Sequence, residues 1–267
     1  RQTAAMKPLA DVARLQGSPR TQLRPTAVLA SPVAEKLVIW IRHGHSEHNA
    51  EQEAAVASGR NVNAAINHER FFDSPLSGTG RAQAEALGRQ LRAADIELVV
   101  CSPLRRALQT ALVAFPGRPL HVLEALRERH FGLPVDCRRG RAEIAAEVAE
   151  VSPGADLGGL EADDDPFPAK AKEHGAAAGA RVQRALEWVM GRPERRIAVV
   201  THGWFLQLGL FKPSRVPLLH FDPGEVRMDP AKAWRNCEAR ALVMRRKTDV
   251  GPGVAARPVA IPQLDIG

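Results

Sequence analysis

The sequence predicts an α/β fold: a three-layer α/β/α arrangement around a largely parallel sheet. Two observations predict it. Residues 37–41, 96–101 and 197–201 are short apolar runs rich in β-branched types, the pattern of strands buried on both faces. Segments of helical character lie between them, and strands alternating with helices form parallel sheets covered on both sides. Aromatic residues are only 4% of the chain and Tyr is absent, so the core is aliphatic.

The elements follow in order. Residues 37–41 form the opening strand, which ends in Arg42-His43-Gly44. Gly44 is placed to let the backbone turn sharply and approach an anion. Residues 46–58 are helical, and a loop runs over 60–72. Ser77 is the N-cap of a helix reaching to about 94. After the second strand, Pro103 suits the first turn of a helix extending to about 115. A short strand over 120–123 leads into Leu126-Arg-Glu-Arg-His-Phe-Gly132. Residues 143–151 are helical. Residues 153–168 are a Gly- and Asp-rich loop, longer than a simple connector. An Ala-rich helix spans 170–190. The third buried strand runs into His202-Gly203, a helix continues to 211, and residues 241–244 are the last strand.

Composition bounds the rest. The 267 residues are 45% apolar and 25% charged, values of a soluble globular protein. No apolar run approaches the ~20 residues that span a bilayer. Cys101, Cys137 and Cys237 are odd in number and far apart, giving neither a disulfide framework nor a zinc pattern. The net charge is +7, of which residues 1–36 hold +4 and residues 245–267 hold +2. Basic charge gathered in the ends, without a binding motif, argues against a nucleic-acid partner. Three segments are expected: a basic arm (1–33), one domain (34–248) and a tail (249–267). The arm's Arg-rich, acid-poor composition fits either the remnant of an organelle transit peptide or an ordinary extension. The expected location is cytoplasmic or organellar, in plastid or mitochondrion, and not secreted.

Two buried strands end alike, in Arg42-His43-Gly44 and in Thr201-His202-Gly203. In a parallel sheet both ends share one edge, where ligands of open α/β folds bind. The second strand ends in Ser102 and feeds a helix whose first turn carries Arg105 and Arg106. Guanidinium and imidazole groups converging there suit a phosphoryl group, because guanidinium pairs bidentately with phosphate oxygens.

At this point the chain resembles the histidine phosphatase, or phosphoglycerate mutase-like, superfamily. Arg42-His43-Gly44 with Ser46 and Asn49 resembles its signature. Asp73, Pro75-Leu76 and Gly80 resemble its second block, and Ser102, Arg106-Ala107 and Thr110-Ala111 its third. Glu128-Arg-His-Phe-Gly132 resembles the segment bearing the general acid, and Val199-Val-Thr-His202-Gly203 the last block. The five blocks fall in family order over roughly residues 37–245. Leu160-Glu-Ala-Asp-Asp-Asp165 and Asn236-Cys237-Glu238 are most similar to the plant and algal phosphoglycerate mutase-like branch. His45 and His48 depart from the family, which more often has Glu or Gln and an aromatic at these places. Trp204-Phe205 is a bulky pair near the site.

The resemblance implies roles. His43 is the nucleophile that forms a phosphohistidine. Arg42 and Arg106 bind phosphoryl oxygens, with Arg105 left to solvent by the register. His202 donates to the same oxygens, and Asn49 is a further substrate contact. Glu128 is the general acid and base, a role that needs a raised pKa. Each residue also has a plainer reading; for Glu128 it is a surface ion pair with Arg127 or Arg129. His43, His45 and His48 together suggest a metal, but no Cys or nearby carboxylate completes a site. Asp163–Asp165 lacks the spacing of a calcium loop and reads as a solvated acidic segment.

The expected activity is hydrolysis of a small phosphorylated substrate without cofactor or metal. Two alternatives stand beside it. One is a phosphoglycerate mutase. Cofactor-dependent mutases of the family carry a basic segment opening Gly-Leu-x-Gly-Leu-Asn-Lys after the general-acid block. Here Gly132 is followed by Leu-Pro-Val-Asp-Cys-Arg-Arg-Gly140. Arg138, Arg139 and Arg141 offer charge at a different spacing, and the acidic residues 161–165 would repel a carboxylate if they lay over the crevice. The other alternative is a non-catalytic subunit docked into a larger assembly through the basic arm.

Overall fold

The computed structural model describes residues 35–167, 170–211, 219–221, 233–246 and 254–259. The arm expected over 1–33 lies outside the described residues, as does most of the tail.

Eight strands form one sheet in the order β4-β3-β2-β5-β1-β7-β8-β6. The strands are β1 (Lys36–Arg42), β2 (Leu98–Cys101), β3 (Leu120–Leu123), β4 (Asp156–Gly159), β5 (Arg196–Thr201), β6 (Leu219–Phe221), β7 (Ala239–Arg246) and β8 (Val254–Pro258). Strands β4, β3, β2, β5 and β1 run parallel, whereas β7 is antiparallel to β1 and β8 antiparallel to β7. Three of these strands were hidden from the sequence reading. β4 lies in the expected loop: Asp-Leu-Gly-Gly at the sheet edge has no apolar run to announce it. β6 lies between the expected helix ending at 211 and the expected last strand, and β8 lies after that strand. The domain is expected to end at residue 248. Val254–Pro258 instead pair along β7, with Met244 opposite Ala256, so the sheet takes in part of the expected tail.

Alternate residues of β1 point into two cores. Val38 and Trp40 pack with α6 (Gly175–Gly191) through Val182, Leu186 and Val189. Ile39 and Ile41 pack with α3 (Gly78–Gln90), α4 (Arg105–Ala114) and α5 (Arg141–Ala149) through Leu87, Leu108 and Ile144. Both faces of the strand are dry, which is why it carries no polar alternation. The first helix, α1 (Glu47–Ala57), begins at Ser46. The expected loop after it contains a one-turn helix, α2 (Val62–Ile66). Ser77 caps α3 as expected, its hydroxyl accepting from Gly80 N at 3.2 Å. The expected helix after β5 is a π-helical segment, Phe205–Phe211.

Candidate active site

Four adjacent parallel strands deliver the site to one sheet edge. Arg42 of β1 lies opposite Thr201 of β5, so His43 and His202 leave neighbouring strands side by side. Their ring centroids are 5.1 Å apart. β2 ends beside them at Ser102 and turns into α4. β3 passes through a 3-10 turn, Glu124–Leu126, to Glu128.

The loop carrying His43 is held by close backbone packing. Gly44 N donates to Thr110 Oγ1 at 3.0 Å. A Cβ on Gly44 would lie 2.8 Å from the Gly80 carbonyl oxygen, and one on Gly80 would lie 1.8 Å from that of His45. Gly44 is thus needed for contact with α3, and its φ is not positive. This corrects the sharp-turn role expected from the sequence.

His43 is buried at the foot of a cavity of about 580 Å³. Its Nδ1 lies 2.8 Å from its neighbour's carbonyl, Gly44 O. A neutral ring held this way donates from Nδ1 and keeps the lone pair on Nε2. Arg106 Nε approaches that Nε2 at 3.3 Å, and Arg106 Nη1 donates to Val135 O at 2.9 Å. Burial first, then the Arg106 and Arg42 cations, hold the His43 pKa well below its ordinary value. The helical register turns Arg106 inward, whereas Arg105 reaches the half-exposed surface and lies 3.4 Å from Glu147.

Arg42 lines the cavity, and its Nη1 donates to Trp234 O at 2.5 Å. Its buried Nε has no hydrogen-bond partner among the described residues. His202 is wholly buried behind His43 and is not among the cavity-lining residues. Its Nε2 sits 2.8 Å from Ser102 Oγ, and its Nδ1 likewise has no partner among the described residues. Burial and the Arg106 charge push its pKa well down.

Glu128 stands on the cavity wall. It makes no ion pair with Arg127, whose guanidinium holds Glu124 and Asp165, and it meets Arg129 only through that residue's backbone N–H. Oε2 accepts from Trp204 N and Oε1 from Phe205 N, both at 3.2 Å. Burial raises its pKa; Arg106 and the backbone donors of Trp204 and Arg129 oppose that shift.

Asn49 lines the cavity, but both ends of its amide are engaged. Oδ1 accepts from Ser46 N and Oγ at 3.2 and 2.8 Å, while Nδ2 donates to Gln52 Oε1 at 3.0 Å. The two departing histidines separate. His45 turns away to Ser77 Oγ at 2.7 Å and Glu53 at 3.3 Å. His48 lines the cavity, so the three histidines do not form one cluster. Trp204 is not a lining residue, and Phe205 is buried on Trp40 in the core.

The acidic segment does not cover the crevice. Asp165 binds Arg127 at 2.6 Å and accepts from Arg138 N at 2.7 Å, and Asp163 binds Arg141 at 2.8 Å. Arg138 is buried on Glu124, and Arg139 spans Asp73 and Glu147. None of these three arginines lines the cavity. Sequence reasoning missed Gln52, Asn63, Phe131, Asp136 and Lys172 as lining residues. Gln52 was within reach, since it follows His48 by four positions and so shares its helical face. Lys172 was not, because it lies on an irregular segment leading into α6, within the stretch expected to be helical.

The chain belongs to the histidine phosphatase superfamily (branch 1), whose family model matches residues 38–232. Among its relatives, a "Phosphoglycerate mutase-like protein" of Arabidopsis thaliana is 26% identical over 81% of this chain and 87% of its own length. A "Probable phosphatase" of Schizosaccharomyces pombe is 28% identical over 71% of this chain and 83% of its own. A solved mycobacterial glucosyl-3-phosphoglycerate phosphatase in complex with VO3 is 20% identical at a TM-score of 0.48, covering 84% of this chain and 98% of that one. The relatives by sequence thus include one described as a probable phosphatase. Among the described residues, no helix is long and apolar enough to cross a membrane.

Proposed function

We propose that the chain hydrolyses small phosphomonoesters through a phosphohistidine on His43. One observation carries this reading: His43 and Glu128 line the same cavity, with His43 Nε2 3.3 Å from the Arg106 guanidinium.

His43 Nε2 attacks phosphorus. The P–N bond forms as the P–O bond to the leaving alcohol breaks, and Glu128 gives its proton to the departing oxygen. Glu128 then takes a proton from water, the hydroxide attacks phosphorus, and the P–N bond breaks to release inorganic phosphate and neutral His43. Arg106 and the Nε of Arg42 meet the phosphoryl oxygens, whose charge grows in the transition state. His202 offers its Nδ1 from behind. The arginines that could hold a carboxylate, Arg138, Arg139 and Arg141, are occupied in internal ion pairs. That favours hydrolysis over a mutase.

The test is chemical trapping. Protein quenched during turnover of a labelled phosphomonoester should carry acid-labile, base-stable phosphate. His43→Ala should carry none and release no phosphate. Undiminished turnover by His43→Ala would refute the mechanism.

A further inference from the structure

Glu128 lies on an irregular segment, outside every strand and helix. A proton donor must nonetheless be held to within a fraction of an ångström. Its support comes from α6. Arg181 is 3% exposed and projects from that helix beneath the segment. Its Nη1 donates to Ala125 O at 3.0 Å and Arg127 O at 2.6 Å, and its Nη2 to Glu128 O at 3.2 Å. Its Nε and Nη2 also grip the Glu173 carboxylate at 2.8 and 2.7 Å. A guanidinium has five N–H bonds, and these five contacts use all of them.

Glu173 extends the grip. Its backbone N donates to His130 O at 2.8 Å, and its carboxylate accepts from His130 N at 3.4 Å. Its carbonyl accepts from Arg129 Nε at 3.2 Å. The general-acid segment is therefore fastened at Ala125, Arg127, Glu128, Arg129 and His130. The pair is buried, with both side chains 4% exposed, so its bonds are not exchanged for water.

We infer that Arg181, locked by Glu173, is the positioning residue that sets Glu128 for proton transfer. This inference rests on the proposed role of Glu128 as general acid. A merely structural pair would support all substrates equally. A positioning residue matters in proportion to how much the leaving group needs a proton.

The experiment compares kcat/KM for p-nitrophenyl phosphate, whose leaving group departs without help, with kcat/KM for an alkyl phosphate, whose alkoxide must be protonated. This parameter reports phosphorylation of His43 and not the later water step. The variants are Arg181→Lys, which keeps the charge but lacks the planar fork, and Glu173→Gln, which frees the fork to shift. Glu128→Gln is the reference. Both Arg181→Lys and Glu173→Gln should lower alkyl phosphate hydrolysis by about 10²-fold or more while p-nitrophenyl phosphate stays within a few-fold of the parent. Should Arg181→Lys fail to fold, Glu173→Gln carries the reading alone. Equal losses on both substrates, or none on either, while Glu128→Gln shows the selective loss, overturn the positioning role and leave the general acid standing. Absence of selective loss in Glu128→Gln itself overturns the general acid, and the inference with it.

Discussion

Replacing Arg106 by Ala isolates the anion pocket. Its guanidinium is 2% exposed, lies 3.3 Å from the attacking nitrogen and donates to Val135 O at 2.9 Å. Removing one preorganised donor from a desolvated transition-state site costs about 2.7–4 kcal/mol, or roughly 10²–10³ in rate. The expected outcome for Arg106→Ala is a loss of that size in kcat/KM, measured by continuous phosphate release. A structural cost accompanies it, because Val135 O loses its donor, a penalty of about 1–3 kcal/mol. Thermal melts separate the two effects, and the assay is run well below the melting transition. The paired control is Arg105→Ala. Arg105 lies at the surface, 3.4 Å from Glu147, and such an ion pair contributes about 0–1 kcal/mol. Its removal should change turnover by no more than a few-fold. A large loss from Arg105→Ala beside a small one from Arg106→Ala would refute the assignment of the pocket to Arg106.

Three further outcomes are expected. Burial raises the Glu128 pKa, so alkyl phosphate hydrolysis should fall as pH climbs through that raised value and the donor loses its proton; Glu128→Gln should show no such limb, and a limb unchanged in that variant would assign the titration elsewhere. Gly80→Ala would set a methyl carbon 1.8 Å from the His45 carbonyl and should destabilise the fold by about 3 kcal/mol or more in denaturant melts, whereas Gly78→Ala, with open space around it, should be nearly neutral; equal stabilities would mean that the loop is not packed as described. With 2,3-bisphosphoglycerate present as primer, phosphate release should far exceed interconversion of 3- and 2-phosphoglycerate, and the opposite ratio would make the protein a mutase.

Much of this arrangement was legible because the parallel core obeys local rules. β1 and β5 are continuous apolar runs ending in His-Gly, and parallel neighbours must place those ends together. The choice of Arg106 over Arg105 comes from the resemblance to the family's Arg-Ala-x-x-Thr-Ala pattern, not from a local rule. Legibility failed where identity depends on partners distant in sequence. The sequence presents Asp165 as part of a solvated acidic segment, whereas in the fold it is paired with Arg127. Two peripheral strands, β4 at one edge and β8 next to the other, failed for a related reason. β4 and β8 are short, with Gly-Gly in one and Arg257-Pro258 in the other, so they lack the apolar pattern that marks a central strand.

The position of β1 has a consequence for how the molecule comes into being. The first strand of the sheet is flanked by β5 and β7, with Trp40 opposite both Val199 and Arg240. His43, at the end of that strand, is also tied by its carbonyl to Asn236 Nδ2 at 3.1 Å and to Cys237 N at 3.2 Å. On a ribosome adding about 5–20 residues per second, β1 would wait roughly 10–40 s for both neighbours to be synthesised. Its two apolar faces and both hydrogen-bonding edges need shielding throughout that interval. Such long-range closure slows folding. Competence of the His43 loop is accordingly among the last properties the polypeptide acquires, although the residue itself is among the first of the sheet to be made.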